Sequence, residues 1–282
     1  MSRIECPACF SVNKEHKYTI NGYKINTCNN CLSLYVENVP PQSELLAQYK
    51  KNDYYTLSID AEQRINTENA RRSGILKEFV NAGKVLDIGC AKGSFLDVMK
   101  EYNFNTFGIE MSLQNVEICN AKGHNVYLGD LNSYYNSNAK QQFDIIACLD
   151  VIEHIPEPNE FLNKIKSLLS INGMLVLSTP NFSGIVSRLL GKKDPFLIPP
   201  EHINFLSKKG LTKLVTTSGF NIIQTKTFGY LTEDGLERTV TKYLPHLLHP
   251  FSGMIKPLLD YSVRSLNFFK SGLEMEFYLR KI

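Results

Sequence analysis

Val85-Leu86-Asp87-Ile88-Gly89-Cys90-Ala91-Lys92-Gly93-Ser94-Phe95 is the stretch that decides the fold of this 282-residue chain. An apolar run ends in an acid, a glycine-spaced turn follows, and a helix-like segment, Phe95 to Tyr102, comes next. That is the order of a strand, a tight loop and a helix whose first N–H groups have no partner inside the helix. Gly89 and Gly93 permit backbone angles and close approach that a side chain would block. Unpaired N–H groups at a helix start suit an anionic or polar ligand. The stretch therefore predicts a nucleotide-like cofactor on an α/β sheet. A dinucleotide site would carry G-x-G-x-x-G with an acid about 20 residues further on. Here the pattern is D-x-G-x-x-x-G and the third glycine is missing. The loop by itself leaves the identity of the cofactor open.

Working outward from Lys84, apolar strand-like and amphipathic helix-like segments alternate. Strands are predicted at Val85–Ile88, Thr106–Glu110, Asn125–Leu128, Phe143–Leu149 and Met174–Ser178. Helices are predicted at Phe95–Tyr102, Leu113–Lys122 and Asn159–Leu169, with a polar link from Asp130 to Gln142. Such alternation implies a parallel sheet covered on both faces. A helix at Lys209–Ser218 and a strand at Phe220–Thr227 follow. In the last stretch, Gly272–Ile282, Leu273, Met275, Phe277 and Leu279 alternate with Glu274, Glu276, Tyr278 and Arg280, the period of a final strand. Upstream, residues 42–83 read as helical in two pieces, the second roughly Asp60 to Asn81. The tyrosine-rich segment Tyr49 to Tyr55 could form a lid or pack on a sheet edge.

The strand ends carry the chemistry. The second strand ends in Gly108-Ile109-Glu110 and runs into Met111, so a carboxylate stands where it can accept bonds from a ribose diol. The third ends in Gly129-Asp130-Leu131. The fourth runs Phe143-Asp144-Ile145-Ile146-Ala147-Cys148-Leu149-Asp150-Val151-Ile152-Glu153-His154-Ile155. In order and spacing these pieces resemble class I S-adenosylmethionine-dependent methyltransferases, over residues 84–229 and the last strand. The family's first motif is usually D-x-G-x-G-x-G, and here Ala91 replaces the middle glycine. The resemblance implies a Rossmann-like α/β fold with a mostly parallel seven-stranded sheet whose last strand is antiparallel. It implies S-adenosylmethionine as cofactor, held by Asp87, Gly89, Cys90 and Gly93 of the loop and by Glu110 with Met111 at the ribose. Asp130 would meet the adenine amino group and Leu131 the ring. Leu149 and Asp150 would lie beside the sulfonium and its methyl group.

Ahead of this domain lie four paired cysteines, Cys6-Pro7-Ala8-Cys9 and Cys28-Asn29-Asn30-Cys31, with eighteen residues between the pairs. The spacing suits a C-x2-C…C-x2-C zinc site, and four thiolates suit a closed, structural tetrahedron. Between them, two strand-like runs flank Asn21-Gly22, the signature of a tight hairpin. A segment of about 35 residues needs such a staple to fold. The arrangement resembles a zinc ribbon. Cys90, Cys119 and Cys148 read as packing residues. The expected division is a ribbon at 1–40, a helical linker or lid at 41–83, and a methyltransferase domain at 84–282 with a helical insertion at 230–271.

Two histidines fit the role of a base for a hydroxyl acceptor, because histidine titrates near neutral pH. His154 follows the fourth strand. His202 lies in Glu201-His202-Ile203-Asn204-Phe205-Leu206-Ser207, which resembles the family's substrate-side H-x-x-x-F/L-S element. The net charge of +3 and the thin scatter of basic residues in the ribbon argue against nucleic acid. Without an apolar leader or a spanning run, a cytoplasmic protein is expected. Residues 243–270 could touch a membrane surface, shape a lid or pair two copies into a homodimer. The acceptor expected first is a small molecule, a hydroxyl or carbon of a nucleotide-linked sugar or surface-glycan precursor, by resemblance to ribbon-bearing sugar methyltransferases. Alternatives are O-methylation of a quinone or lipid, methylation of ribosomal RNA through an RNA-contacting ribbon, and a cofactor-binding scaffold without activity.

Overall fold

A computed structural model describes residues 2–41, 44–45, 59–228 and 272–282. The segment Tyr49 to Tyr55 and the predicted insertion at 230–271, with its surface-seeking stretch 243–270, lie outside the described residues.

The centre is a seven-stranded sheet built from β4 (Lys84–Ile88), β5 (Asn105–Glu110), β6 (Asn125–Leu128), β7 (Phe143–Leu149), β8 (Leu169–Pro180), β10 (Phe220–Phe228) and β11 (Glu274–Lys281). Its order is β10-β11-β8-β7-β4-β5-β6. β4, β5, β6, β7 and β8 pair in parallel, and β11 runs antiparallel between β8 and β10. The expected strands are all present. β8 is longer than the predicted Met174–Ser178, because its first residues continue straight out of the preceding helix.

Helices cover both faces. On one lie α1 (Ile59–Lys77), α2 (Ser94–Glu101) and α3 (Leu113–Ala121), over a core that includes Leu76, Val85, Phe95, Met99, Ile145 and Tyr278. On the other lie α4 (Leu131–Asn138), α5 (Pro158–Leu168) and α7 (Lys208–Thr217), over Leu86, Phe143, Leu162, Leu177, Leu211 and Phe277. Local sequence explains their ends. Asp130 and Ser133 form a reciprocal capping box that turns the polar link after β6 into α4. Pro158 opens α5 at a position where a missing N–H costs nothing. α5 then buries Phe161, Leu162, Ile165 and Leu168, one helical face. A short helix α6 (Ile185–Leu190) follows β8.

The N-terminal segment forms a hairpin, β1 (Lys14–Ile20) and β2 (Tyr23–Cys28), turned by Asn21 and Gly22, both with positive φ, and joined by β3 (Leu34–Val36). It does not close on itself. A two-residue strand, β9 (Asn204–Phe205), adds a fourth member in the order β1-β2-β3-β9. Cys6, Ala8, Cys28, Cys31 and Tyr35 belong to the same core cluster as Leu206 and Leu211.

α1 is tied to the last strand by charge. Arg72 meets Glu276 at 2.6 Å and Arg71 meets it at 2.9 Å, with Glu276 fully buried. Removing one partner of a buried pair leaves an uncompensated charge. Arg72→Met is expected to lower the unfolding free energy by about 3 kcal/mol. The double variant Arg72→Met/Glu276→Gln should lose less than Arg72→Met alone, as read by urea denaturation.

Candidate functional site

The parallel strands all end on one edge of the sheet, and most of the residues singled out from sequence meet there. β4 delivers Asp87, which is buried, with its Oδ1 lacking any hydrogen-bond partner. The loop after it turns through Gly89 at φ 77, Ala91 at φ 46 and Gly93 at φ 79. A Cβ at Gly89 would stand 2.8 Å from Val151 Cγ2, so the loop needs glycine there for space as well as for angle. Ala91 adopts the left-handed conformation that its glycine counterpart in the first motif would adopt without strain.

Glu110, at the end of β5, is held by three backbone donors. Ala91 N gives to Oε2 at 2.9 Å, while Met111 N and Ser112 N give to Oε1 at 2.9 and 2.8 Å. A carboxylate has about four acceptor positions, so roughly one is left over, on Oε2 beside the loop. Met111 supplies one of these N–H groups. At the end of β6, Asp130 Oδ1 is occupied by the cap of α4, accepting from Ser133 N at 2.8 Å and Ser133 Oγ at 2.7 Å. Leu131 is buried in the core beneath. Cys90 contributes backbone alone. Its N–H donates to Ile109 O and its carbonyl accepts from Gly93 N, while its thiol is buried under β5, where a Cβ on Gly108 would approach it to 2.6 Å. Leu149 ends β7, and Asp150 follows with φ 55, accepting from Ser178 Oγ at 2.8 Å.

Beyond Asp150 a 3₁₀ turn, Ile152–His154, brings a second group together. His154 and His202, 48 positions apart in sequence, pack edge to face with ring centroids 4.7 Å apart. His202 Nδ1 lies 2.8 Å from Phe196 O and His154 Nδ1 lies 2.7 Å from Glu201 O. A carbonyl only accepts, so each Nδ1 carries the proton. Burial pushes His202 down to about 3, and the neighbouring His154 adds to the fall. Burial also lowers His154, while the backbone carbonyls of Glu201 and Asp150 oppose it. Between them stands Glu153, buried, accepting from Thr179 Oγ1 at 3.0 Å and driven well above the usual carboxylate range by burial and by Asp150. One ligand atom from each of Glu153, His154 and His202 lies within 4.8 Å of the others, so this set could hold a divalent cation. Glu153 was visible in the sequence as part of E-H-I, but nothing there placed it against a histidine 49 positions away.

The four predicted cysteine ligands also meet. Cys6 Sγ lies 3.6 Å from Cys31 Sγ, Cys9 Sγ lies 3.4 Å from Cys28 Sγ, and all four sulfurs fall within 4.8 Å of one another. Sulfurs at about 2.3 Å from a tetrahedral zinc would be roughly 3.8 Å apart, close to these edges. None of the four is in a disulfide.

A family described as a methyltransferase domain matches residues 61–225, more than half of the chain. The chain belongs to this methyltransferase family. Its fold agrees. A SAM-dependent methyltransferase of Archaeoglobus fulgidus superposes with a TM-score of 0.56 at 22% identity, over 78% of this chain and 94% of that one. A Thermotoga maritima SAM-dependent methyltransferase, described as a possible histamine N-methyltransferase, superposes with a TM-score of 0.51 at 15% identity, over 78% and 91%. At these identities the likeness shows the class I methyltransferase fold and nothing of the acceptor. Among curated relatives, the ubiquinone biosynthesis O-methyltransferase of Haemophilus ducreyi is 32% identical over 109 residues, 35% of this chain and 45% of that protein. That of Coxiella burnetii is 26% identical over 152 residues, 49% and 64%. The matched stretch thus spans about half the length of these relatives. No helix among the described residues is long and apolar enough to cross a membrane.

The family and fold imply S-adenosylmethionine, and the residues at this edge of the sheet fit it. An unpartnered buried carboxylate oxygen on Asp87 suits a cofactor with cationic groups, and the spare acceptor of Glu110 suits a ribose hydroxyl. Burial pushes Asp87 up to about 7, with Arg72 opposing the rise and Glu110 adding to it. An acid whose folded pKa is raised holds its proton more tightly when folded, so its contribution to stability falls as pH rises from about 4 to about 7. A cationic group bound beside Asp87 favours the ionised form and expels that proton. Affinity for S-adenosylmethionine should therefore rise about tenfold from pH 6 to pH 8, and Asp87→Asn should flatten the profile, as read by titration calorimetry. Ala91→Gly should relieve the left-handed strain and raise the unfolding free energy by about 1 kcal/mol.

Proposed function

We propose that the protein transfers a methyl group from S-adenosylmethionine to an oxygen of a small quinol-type or lipid-type acceptor. The family match over residues 61–225 carries the reaction class. The names of the curated relatives, ubiquinone biosynthesis O-methyltransferases, favour a quinol oxygen over the nucleotide-linked sugar expected first from the ribbon. S-adenosylmethionine, when bound, supplies an electrophilic methyl group on a sulfonium. What remains for the chain is to bind, orient, exclude water and accept a proton.

In this reading Asp87 Oδ1 faces the amino-acid end of the cofactor, Glu110 takes a ribose hydroxyl, and Asp130 with Leu131 borders the adenine. The backbones of Gly89, Cys90, Gly93 and Met111 shape the cradle. Leu149 and Asp150, at the end of β7, border the methyl group and give way to the acceptor side at Glu153, His154 and His202. His154 is the better proton acceptor of the two histidines. Burial lowers His154 as well, but Glu201 and the backbone carbonyl of Asp150 oppose that fall, whereas the neighbouring imidazole deepens it at His202. His202, held near 3, is a weak base at neutral pH and acts by fixing the wall against which the acceptor rests. The four cysteines hold a structural zinc, supported by their tetrahedral spacing and by the preference of soft thiolates for that ion.

The reading is tested with methyl-labelled S-adenosylmethionine against a short-chain prenyl catechol, a panel of nucleotide-linked deoxysugars and ribosomal RNA. Label is expected in the catechol oxygen; label in a sugar instead would overturn the acceptor assignment. With the catechol, His154→Ala should lower kcat by about 10²–10⁴, and His202→Gln should lower it less. Elemental analysis should find one zinc per chain, lost in the Cys6→Ser/Cys9→Ser variant.

A further inference from the structure

Among the described residues, the cysteine module bonds densely to the segments that follow β7 and β8. Arg3 is the longest reach. Its Nη1 donates to Asn204 Oδ1 at 2.8 Å and to Ile203 O at 3.3 Å, and its Nη2 donates to Pro156 O at 2.5 Å. Arg3 is itself braced by the module, since its backbone N donates to Glu37 O and its carbonyl accepts from Lys14 Nζ. Asn204 is fully buried and passes the restraint on, its Nδ2 donating to Ile152 O at 3.0 Å and to Ile155 O at 2.7 Å. Those two carbonyls bracket Glu153 and His154. Ile203, next to His202, is stitched in both directions, its carbonyl accepting from Val36 N and its N–H donating to Glu153 O, each at 2.9 Å.

A second link starts at the cysteines themselves. Ser207 Oγ donates to the carbonyl of Cys31 at 2.5 Å, and Ser207 N donates to Ser33 Oγ at 3.0 Å. Ser207 also caps α7, accepting from Gly210 N, and a side chain at Gly210 would collide with Ser33 Oγ. β3 and β9 pair between these two links, Leu34 with Phe205 and Tyr35 with Asn204. Of these bonds, those that leave the module end on residues 152–156, which include His154, and on 203–207, which directly follow His202. None of them ends on the loop 87–93 or on Glu110.

We infer that the four-cysteine module is a positioning device for the acceptor wall, acting through Arg3, Ser33 and Ser207 on the segment that bears Glu153 and His154 and the one that directly follows His202. Arg3 and Ser207 are positioning residues in this scheme, with no contact to substrate required of them. A bound ion closes the knuckles and fixes the Cys31 carbonyl and Ser33, which fix Ser207 and β9, which fix the 152–156 turn. The cofactor half of the crevice stands apart from this chain of contacts. The inference rests on the acceptor-side placement of the two histidines above, and its test needs no methyl transfer.

The full chain is compared zinc-loaded and after stripping with a chelator, by amide hydrogen exchange, by imidazole NMR of labelled histidines and by calorimetry with S-adenosylhomocysteine. Stripping should raise exchange at 152–156 and 203–207 by tenfold or more and shift the His154 and His202 resonances. Exchange at 85–93 and 105–112 and the affinity for S-adenosylhomocysteine should change less than twofold. Arg3→Met, which keeps its zinc, should reproduce the selective loss at 152–156 and 203–205 and the imidazole shifts, and Arg3→Lys should restore part of the protection. Unchanged exchange and unchanged imidazole signals in Arg3→Met would overturn the inference, as would equal loosening of the two halves of the crevice in that variant. If the stripped chain unfolds throughout, Arg3→Met alone decides. Failure to bind S-adenosylhomocysteine in the zinc-loaded chain would instead count against the proposed function and leave the exchange pattern to be read separately.

Discussion

The parallel pairing of β4 with β5 on one side and β7 on the other is the constraint on which the rest depends. Parallel strands put all their carboxyl ends on one edge, and whatever follows each strand must emerge there. The register aligns Asp87 with Gly108 and Ala147, so the acid of the first loop, the Glu110 turn and the Leu149–Asp150 turn open on one crevice. Close packing on both faces leaves little freedom to move any of these ends alone. The strained left-handed angle at Ala91 and the three backbone bonds that orient Glu110 are consequences of fitting tight turns between such strands.

The antiparallel β11, placed between β8 and β10, completes the sheet and brings charge into it. Glu276 would be costly in an apolar sheet, and Arg71 and Arg72 from α1 make it tolerable. That pairing places α1 on the sheet face where Arg72 also bears on Asp87. The opposite side of the crevice is organised by buried polar groups of another kind. Two histidines whose basicity burial lowers, a carboxyl that burial raises, and Asn204 bonded to Arg3, Ile152 and Ile155 lie together beside the cysteine module. Helices and sheet support the 87–93 loop and Glu110, while hydrogen bonds from the N-terminal module reach Pro156, Ile203, Asn204 and Ser207.

Much of this was legible in the chain. The apolar runs of β4 to β8 and the helices between them are found close to where periodicity places them. The stretch expected to be a polar link after β6 instead starts a helix at the Asp130–Ser133 capping box, and Pro158 opens the next one. Asp87, Gly89, Gly93 and Glu110 come to one edge of the sheet, and the four cysteines meet separately in the N-terminal module. Other parts were not legible. β9 is two residues long, too short for any period to show, yet it joins the N-terminal strands to the main body through β3. Arg3 reads as an ordinary surface residue until Pro156, Ile203 and Asn204 are brought to it. Cys90 falls within the cofactor loop in sequence, but the turn sends its side chain into the core.

By itself the sequence determined the sheet, the order of its loops, the acid at each strand end and the four-thiol knuckle, because these depend on local propensity and on spacing along one strand or turn. Only the tertiary structure decided which distant residues share a wall. The meeting of His154 with His202, the burial that pushes His202 down to about 3, and the grip of the cysteine module on 203–207 all arise from contacts across long sequence separations. Such contacts are set by how whole elements pack, and no stretch of neighbouring residues encodes them.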